Sequence, residues 1–329
     1  MTVLDTIVSE LSSVLVADAD VASLCTYKVG GRAAGLVSVD SLETLDLVSA
    51  VLGRFPEVEI PVLVIGRGSN LLIADRGFPG LVIRLGPAFE AIEIDADTAV
   101  VVAGGGALLP VVARKTAAAS LKGFEWAVGV PGSIGGAVCM NAGGHGADMA
   151  ANLTSVTTYD LRGAGRRQRP ADQLALGYRS SNIAPSEVVL SAELQLTPGD
   201  REASEGTISE IVRWRRANQP GGQNAGSVFA NPEGDSAGRL IDAAGLKGFR
   251  VGSAEVSNKH ANFIQADPNG SADDVFSLIR EVQHQVREDC GILLQPENVL
   301  IGFDHSRDPA SQDPAGHDSS SNDAGSKQT

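Results

Sequence analysis

Apolar positions along this chain follow two alternating rhythms. Leu4, Ile7, Val8 and Leu11 recur at helical spacing, so an amphipathic helix is expected within residues 1–20. Leu42, Leu45, Val48 and Leu52 repeat that pattern, and Asp40 with Glu43 reads as a capping box in front of them. Short apolar runs at Val62–Ile65, Leu81–Leu85 and Ala99–Ala103 predict strands, which makes residues 40–110 a series of βα units. After Gly104-Gly105-Gly106 the spacing of Leu108, Val111, Val112, Lys115 and Ala119 returns to the helical period. From Val188 to Thr197 alternation is strict, with Val188, Leu190, Ala192, Leu194 and Leu196 on one side, which predicts a half-buried strand.

The polar stretch 198–206 contains Pro, Gly and four charges, and it reads as the interior boundary between two domains. Thr207 and Glu210 then read as the capping box of a new helix over 207–217. Further helices are expected at 236–244 and 272–289, the latter with Val275, Ile279, Val282 and Val286 on one face and Gly291 as its stop. A strand at Ile292–Leu294 leads to Gln295-Pro296-Glu297 and the apolar Val299-Leu300-Ile301. The divisions are therefore an N-terminal helix (1–20), a first domain (21–199), a second, smaller domain (200–303) and a tail (304–329). The tail is almost devoid of large apolar residues and cannot offset the entropy of ordering, so it is expected to be disordered and acidic.

Composition narrows the class. The 329 residues are 43% apolar, enough for a sizeable core, and 26 basic against 40 acidic side chains give a net charge of −14. Such a balance disfavours nucleic-acid partners. The three cysteines, Cys25, Cys139 and Cys290, are far apart and odd in number, which disfavours a disulfide framework and suits a reducing cytoplasm. His305 and His317 lie at or in the tail, which leaves His145, His260 and His284 for the folded part, so no metal centre is expected. No run approaches the ~18 apolar residues of a membrane span, and the N-terminus has no basic start of a signal peptide.

Two glycine clusters carry the candidate chemistry. Gly66-Arg67-Gly68-Ser69-Asn70 follows a predicted strand, where bare N–H groups and a hydroxyl suit an anion; the competing reading is a plain turn with Asn70 left-handed. Neither this run nor Gly104–Gly106 is a dinucleotide fingerprint, because Leu71 and Leu109 occupy the third glycine positions. The second cluster runs from Gly129 to Gly144 with apolar residues between its glycines, which points to a backbone packed against something flat and bulky, or else to close packing of elements. Ser133 is not a hydrolase nucleophile elbow, since Pro131 replaces the leading glycine.

Taken with Thr26–Gly31, Gly177-Tyr178-Arg179-Ser180-Ser181, Ala225-Gly226-Ser227-Val228-Phe229 and Gln295-Pro296-Glu297, these clusters resemble the UDP-N-acetylenolpyruvoylglucosamine reductase (MurB) family over residues 20–303. The resemblance implies an α+β fold, with an FAD-binding domain of the vanillyl-alcohol-oxidase type followed by a smaller α/β substrate-binding domain. It implies non-covalent FAD, NADPH as co-substrate, and reduction of the enolpyruvyl ether of UDP-N-acetylglucosamine-enolpyruvate to UDP-N-acetylmuramate in peptidoglycan synthesis. A cytoplasmic monomer is expected. Carried over residue by residue, Gly66, Arg67, Gly68, Ser69, Asn70, Val130, Pro131, Gly132, Ser133, Gly135, Gly136 and Asn141 would hold FAD. Arg179, Ser227 and Glu297 would be catalytic, and Tyr178, Asn231 and His260 would bind substrate. Arg215 or Arg216 would meet the diphosphate, or else serve as the positive end of its helix. No Tyr follows Tyr178, so the chain resembles the shorter subclass without a tyrosine-bearing lid, and His145 stands where the family often has an aromatic residue. Another FAD-dependent oxidoreductase of the same fold, or a catalytically silent FAD-binding protein, are the competing functions.

Overall fold

The N-terminal periodicity resolves into a short helix and then a strand. In the computed structural model, which describes residues 2–163 and 165–304, helix α1 spans Val3–Glu10 and is opened by a reciprocal capping box between Thr2 and Asp5. Ile7 and Leu11 are buried from the outset. The next residues, Leu15–Asp20, pair antiparallel with the Arg32–Val39 strand, so α1 and its successor are built into the first lobe.

Helix α2 (Leu42–Gly53) buries Leu45, Val48, Val51 and Leu52, the face the spacing predicts. Its N-cap is Ser41, which makes no capping bond from its side chain to the helix, in place of the expected Asp40 box. The helix bridges Arg32–Val39 and Val62–Val64, both of which run parallel to Phe78–Leu85 in a four-stranded sheet. Helix α3 (Leu109–Ala118) packs with an antiparallel five-stranded sheet ordered Gly165–Pro170, Leu153–Asp160, Glu187–Gln195, Val100–Gly104 and Ile92–Asp95.

The strand expected to be half-buried is buried on both faces over its first half. Val188 and Leu190 join the core of α1 and α2, whereas Val189, Ala192 and Leu194 join the core of α3. A bulge changes the parity: Thr157 pairs with Ser191 while Thr158 pairs with Val189, which leaves Leu190 unmatched. The strand thus serves as the common wall of two cores.

The helix assigned to 207–217 begins earlier. Helix α5 (Arg201–Asn218) is capped by Asp200, whose carboxylate accepts the Ala203 N–H at 2.8 Å, and its first turns are exposed and charged. Ile208 and Ile211 pack into the α3 core, so this helix lies on the first lobe. After the short α4 (Ile134–Cys139) of that lobe, the remaining helices are α6 (Ala237–Ala243) and α7 (Ala272–Cys290), which enclose the second core with a three-stranded sheet over 250–266. Val275, Ile279, Val282 and Val286 of α7 are buried as predicted, and Gly291 ends the helix in a left-handed cap. Ile292–Leu294, expected as a strand, forms no ladder. The expected tail lies, from residue 305 on, outside the described residues.

Two sets of contacts, among others, return the second lobe to the first. Val299–Ile301 pairs in parallel with Leu71–Ile73. Asp75, in the loop after that strand, accepts the Ala272 N–H at 3.0 Å, the Asp273 N–H at 3.2 Å and the Ser271 hydroxyl at 2.5 Å. It thereby caps α7 from the other lobe, where the helix dipole favours a carboxylate. Asp75→Ala is expected to lower unfolding free energy by about 1–3 kcal/mol, read as an earlier midpoint in urea melts; an unchanged midpoint would remove the clamp from the account.

Candidate active site

Strand pairing delivers the first glycine turn to the lobe boundary. The Ile65 N–H donates to the Ile83 carbonyl at 2.9 Å, and the chain then turns sharply through Gly66–Asn70. Gly68 is the left-handed residue, at φ +58°, and a Cβ there would stand 2.5 Å from the Leu24 carbonyl oxygen. At Gly66 a Cβ would lie 2.2 Å from Ser133 Oγ, so the two glycine clusters touch where only hydrogen fits. Asn70, the expected left-handed residue of a plain turn, has no positive φ. Its side chain donates instead to the Glu297 carbonyl at 3.0 Å.

The second cluster forms the facing wall. Ser133 caps α4 with its hydroxyl toward the Gly136 N–H, and Gly132 and Gly135 present bare backbone. Between the walls lies a cavity of about 530 Å³, which Gly66, Arg67, Gly68, Ser69 and Asn70 line together with Val130, Pro131, Gly132, Ser133, Gly135 and Gly136. Asn141 does not line it. Its amide donates to the Gly177 carbonyl and to Asp148, each at 3.1 Å, and so fixes the turn that carries Arg179.

The three candidate catalytic residues line the same cavity. Arg179 sits at φ +52° at the tip of its turn, where a Gly177–Ser180 bridge closes the backbone. Its guanidinium reaches Glu297 Oε2 at 3.4 Å, and the Glu297 side chain is 8% exposed. Phe229 bridges Pro296, and the Glu297 N–H donates to the Val228 carbonyl at 2.7 Å, so the Ser227 loop is bonded by backbone to the Glu297 segment. Motifs 118 residues apart in sequence thus meet at one carboxylate.

The proposed substrate contacts are less uniform. Tyr178 is 71% exposed and outside the cavity wall, yet its hydroxyl donates to Glu297 Oε1. Loss of solvent around that hydroxyl, then the carboxylate's bond and charge, raise its pKa. Asn231 accepts the Ala237 N–H at 3.0 Å at the start of α6, and His260 Nδ1 accepts the Asn262 N–H at 3.2 Å while its ring packs on Phe263. Neither lines the cavity. Burial lowers the His260 pKa, which keeps the ring neutral near pH 7.

Charge within the cavity departs from that of the whole chain. Four arginines (Arg67, Arg84, Arg179, Arg215) line it against Glu90, Glu187 and Glu297. Glu187 is buried; burial alone would raise its pKa, but the Thr158 hydroxyl and the Arg167 and Arg169 guanidiniums outweigh that and lower it. Of the two arginines near the end of α5, Arg215 lines the cavity and bonds Gln219 at 2.7 Å, whereas Arg216 does not line it. His145 stacks edge-on to Trp214 at 5.4 Å beside Arg215, and burial followed by that positive charge lowers its pKa. Cys139 also lines the cavity, with burial holding its thiol at about 11, protonated and unreactive. Sequence reasoning missed Arg84, Gln219, Asn224 and Phe263, which also line it. The Gly104–Gly106 run was a usable signal, because Gly105 and Gly106 belong to the wall although they fail as a fingerprint.

Comparison with known proteins places this geometry. Residues 38–167 match the model of an FAD binding domain, and residues 218–301 match the C-terminal domain of UDP-N-acetylenolpyruvoylglucosamine reductase. The reductase of that name from Heliobacterium modesticaldum is 44% identical over 280 residues, covering 84% of this chain and 87% of the relative. The Prochlorococcus marinus reductase is 41% identical, covering 84% and 94%. The crystal structure of the Thermus caldophilus reductase (MurB) superposes with a TM-score of 0.74 at 36% identity, over 87% of this chain and 98% of that one.

Because Gly68 combines positive φ with a blocked Cβ direction, Gly68→Ala is expected to destabilise by about 1 kcal/mol or more. Gly53→Ala, where nothing lies within 4 Å, is the helical control and is expected to hold or raise the melting temperature. Equal melting of the two variants would overturn the close-approach argument.

Proposed function

The chain belongs to the UDP-N-acetylenolpyruvoylglucosamine reductase family and is an FAD-dependent oxidoreductase of peptidoglycan synthesis; within that activity we propose that NADPH is the reductant, that Arg179 and Glu297 hold the substrate carboxylate, and that Ser227 delivers the proton. The observation that carries this reading is the convergence of Arg179, Ser227 and Glu297 on the cavity that the two glycine clusters also line. Those clusters suit FAD: a Cβ at Gly66 would meet Ser133 Oγ, and bare N–H groups with the Ser69 hydroxyl would offer donors to a pyrophosphate. Gly66, Arg67, Gly68, Ser69 and Asn70 would hold that end, and Val130, Pro131, Gly132, Ser133, Gly135 and Gly136 the remainder. Asn141 would act through the Arg179 turn instead.

Once reduced by NADPH, a bound FAD would supply the hydride that the enolpyruvyl methylene carbon takes up. Charge then moves through the neighbouring carbon onto the substrate carboxylate, and an enolate-like dianion forms that needs preorganised donors. Arg179 offers a planar fork matched to a carboxylate. Glu297 orients that fork, and in its protonated form it would share a proton with the same carboxylate. Ser227 would give its hydroxyl proton to the carbon bearing the ether oxygen, which completes the lactyl ether. Arg215, with its charge inside the cavity, suits the diphosphate of the sugar nucleotide. Tyr178 at the rim remains a candidate for the sugar, whereas Asn231 and His260 would act only indirectly.

We infer a cytoplasmic monomer, since one chain carries all three residues and both glycine clusters and its relatives are named for a nucleotide-linked sugar; no helix among the described residues is long and apolar enough to cross a membrane.

An absorbance spectrum of purified protein, before NADPH, after NADPH and after the enolpyruvyl sugar nucleotide, tests the reading directly. Ser227→Ala is expected to retain NADPH-driven bleaching while product formation falls by about 10²–10⁴; equal loss of both would refute the proton-donor role. Arg215→Ala is expected to raise KM for the sugar nucleotide by about tenfold or more, with Arg216→Ala near wild type in steady-state assays. The reverse order would move the diphosphate elsewhere.

A further inference from the structure

The segment that carries Glu297 and leads into the Val299–Ile301 strand separates two cavities. Glu297 and Val299 line the first, whereas Pro296, Asn298 and Leu300 line a second of about 300 Å³ against α7. Asn298 therefore lies behind the reacting groups, at only 5% exposure. Its Nδ2 donates to Asn70 Oδ1 at 3.0 Å and to the Ala225 carbonyl at 3.2 Å. Asn70 in turn donates to the Glu297 carbonyl at 3.0 Å and accepts the Val299 N–H at 2.9 Å. One buried carboxamide thus joins the glycine turn, the Ser227 loop and the Glu297 segment.

The same side chain leaves its Oδ1 buried without a partner. An unmet acceptor is costly, and an aliphatic side chain of similar size would avoid it. The donors are what this position uses.

We propose that Asn298 is a positioning residue, which acts through Asn70 and the Ala225 carbonyl to hold Glu297 and Ser227 in register with the cofactor turn. It rests on the roles proposed for those two residues, and it separates cleanly from cofactor reduction because Asn298 reaches neither the cavity nor Arg179. Catalytic groups must be held to within fractions of an ångström, and a displacement of that order removes most of the rate.

Asn298→Leu removes both donors at similar volume, and Asn298→Asp replaces them with an acceptor that faces two acceptors. In flavin-loaded protein each is expected to slow substrate-driven flavin reoxidation about thirtyfold, with KM and NADPH-driven bleaching within about threefold. In apo protein the Glu297 and Val299 amides should exchange hydrogen about tenfold faster than in the parent chain. If Asn298 works through Asn70, Asn298→Leu adds little in an Asn70→Ala background. Asn298→Ser, which keeps one donor on a shorter arm, is the milder variant should Asn298→Leu not fold. Equal slowing of both half-reactions, unchanged amide exchange, or independent effects at Asn70 and Asn298 would overturn the proposal. Failure of the parent enzyme to reoxidise with the sugar nucleotide would instead sink the functional reading, and the exchange measurement would still decide the clamp.

Discussion

Backbone pairing between segments far apart in the chain is the constraint on which the site depends. Val299–Ile301 lies parallel to Leu71–Ile73, and just before it Pro296 bridges Phe229. Glu297 is caught between these two attachments, one to the cofactor lobe and one to the Ser227 loop. Backbone hydrogen bonds are directional and short-ranged, so they transmit position without adjustable side-chain rotamers. Arg179 is fixed from the other side by its left-handed turn and by Asn141 beneath it. The arrangement converts contacts remote in sequence into one rigid wall.

Electrostatics follow the same division between local and global. The whole chain is acidic, with a net charge of −14, whereas four arginines face into the cavity. Glu187 and Glu297 are partnered there by arginines, Glu187 by Arg167 and Arg169 and Glu297 by Arg179, so the cavity's field differs from that of the surface. Net charge read from composition describes solubility and general partners; it says little of a pocket a few ångströms across.

Much of the fold was legible because burial on one face leaves a period in the sequence. Helices α2 and α7 show it, with Leu45 and Val48 or Val275 and Ile279 on the buried side. Helix α5 was placed too late because its first turns are exposed and charged, held by the Asp200 cap and the Arg201–Glu205 pair, and such turns carry no apolar rhythm. The Leu190 bulge was invisible for a different reason: it is a property of pairing with Leu153–Asp160, not of either strand alone. At the site, the linear motifs carried Arg179, Ser227 and Glu297 into one cavity, but they did not distinguish lining residues from supports. Asn141, Asn231 and His260 do not line that cavity, and their amides and ring nitrogen meet backbone groups. Asn298 left no trace in any motif, because its partners lie 228 and 73 residues away.

The parallel pair at the end of the fold also sets an order of events during synthesis. While the last strand is still inside the ribosome, Leu71–Ile73 has no partner on that edge, and the Ser227 loop lacks its bridge to Pro296. The four- and five-stranded sheets already have their strands by then, and two of the first lobe's cores need no residue later than Ile211, whereas a third still lacks Ile301. Emergence of residues 296–301 therefore closes the site late, bringing Glu297 against the Ser227 loop and Ile301 against Ile73. Such late, long-range closure has a high loop entropy to overcome, and it leaves an open strand edge exposed to other nascent chains until the end.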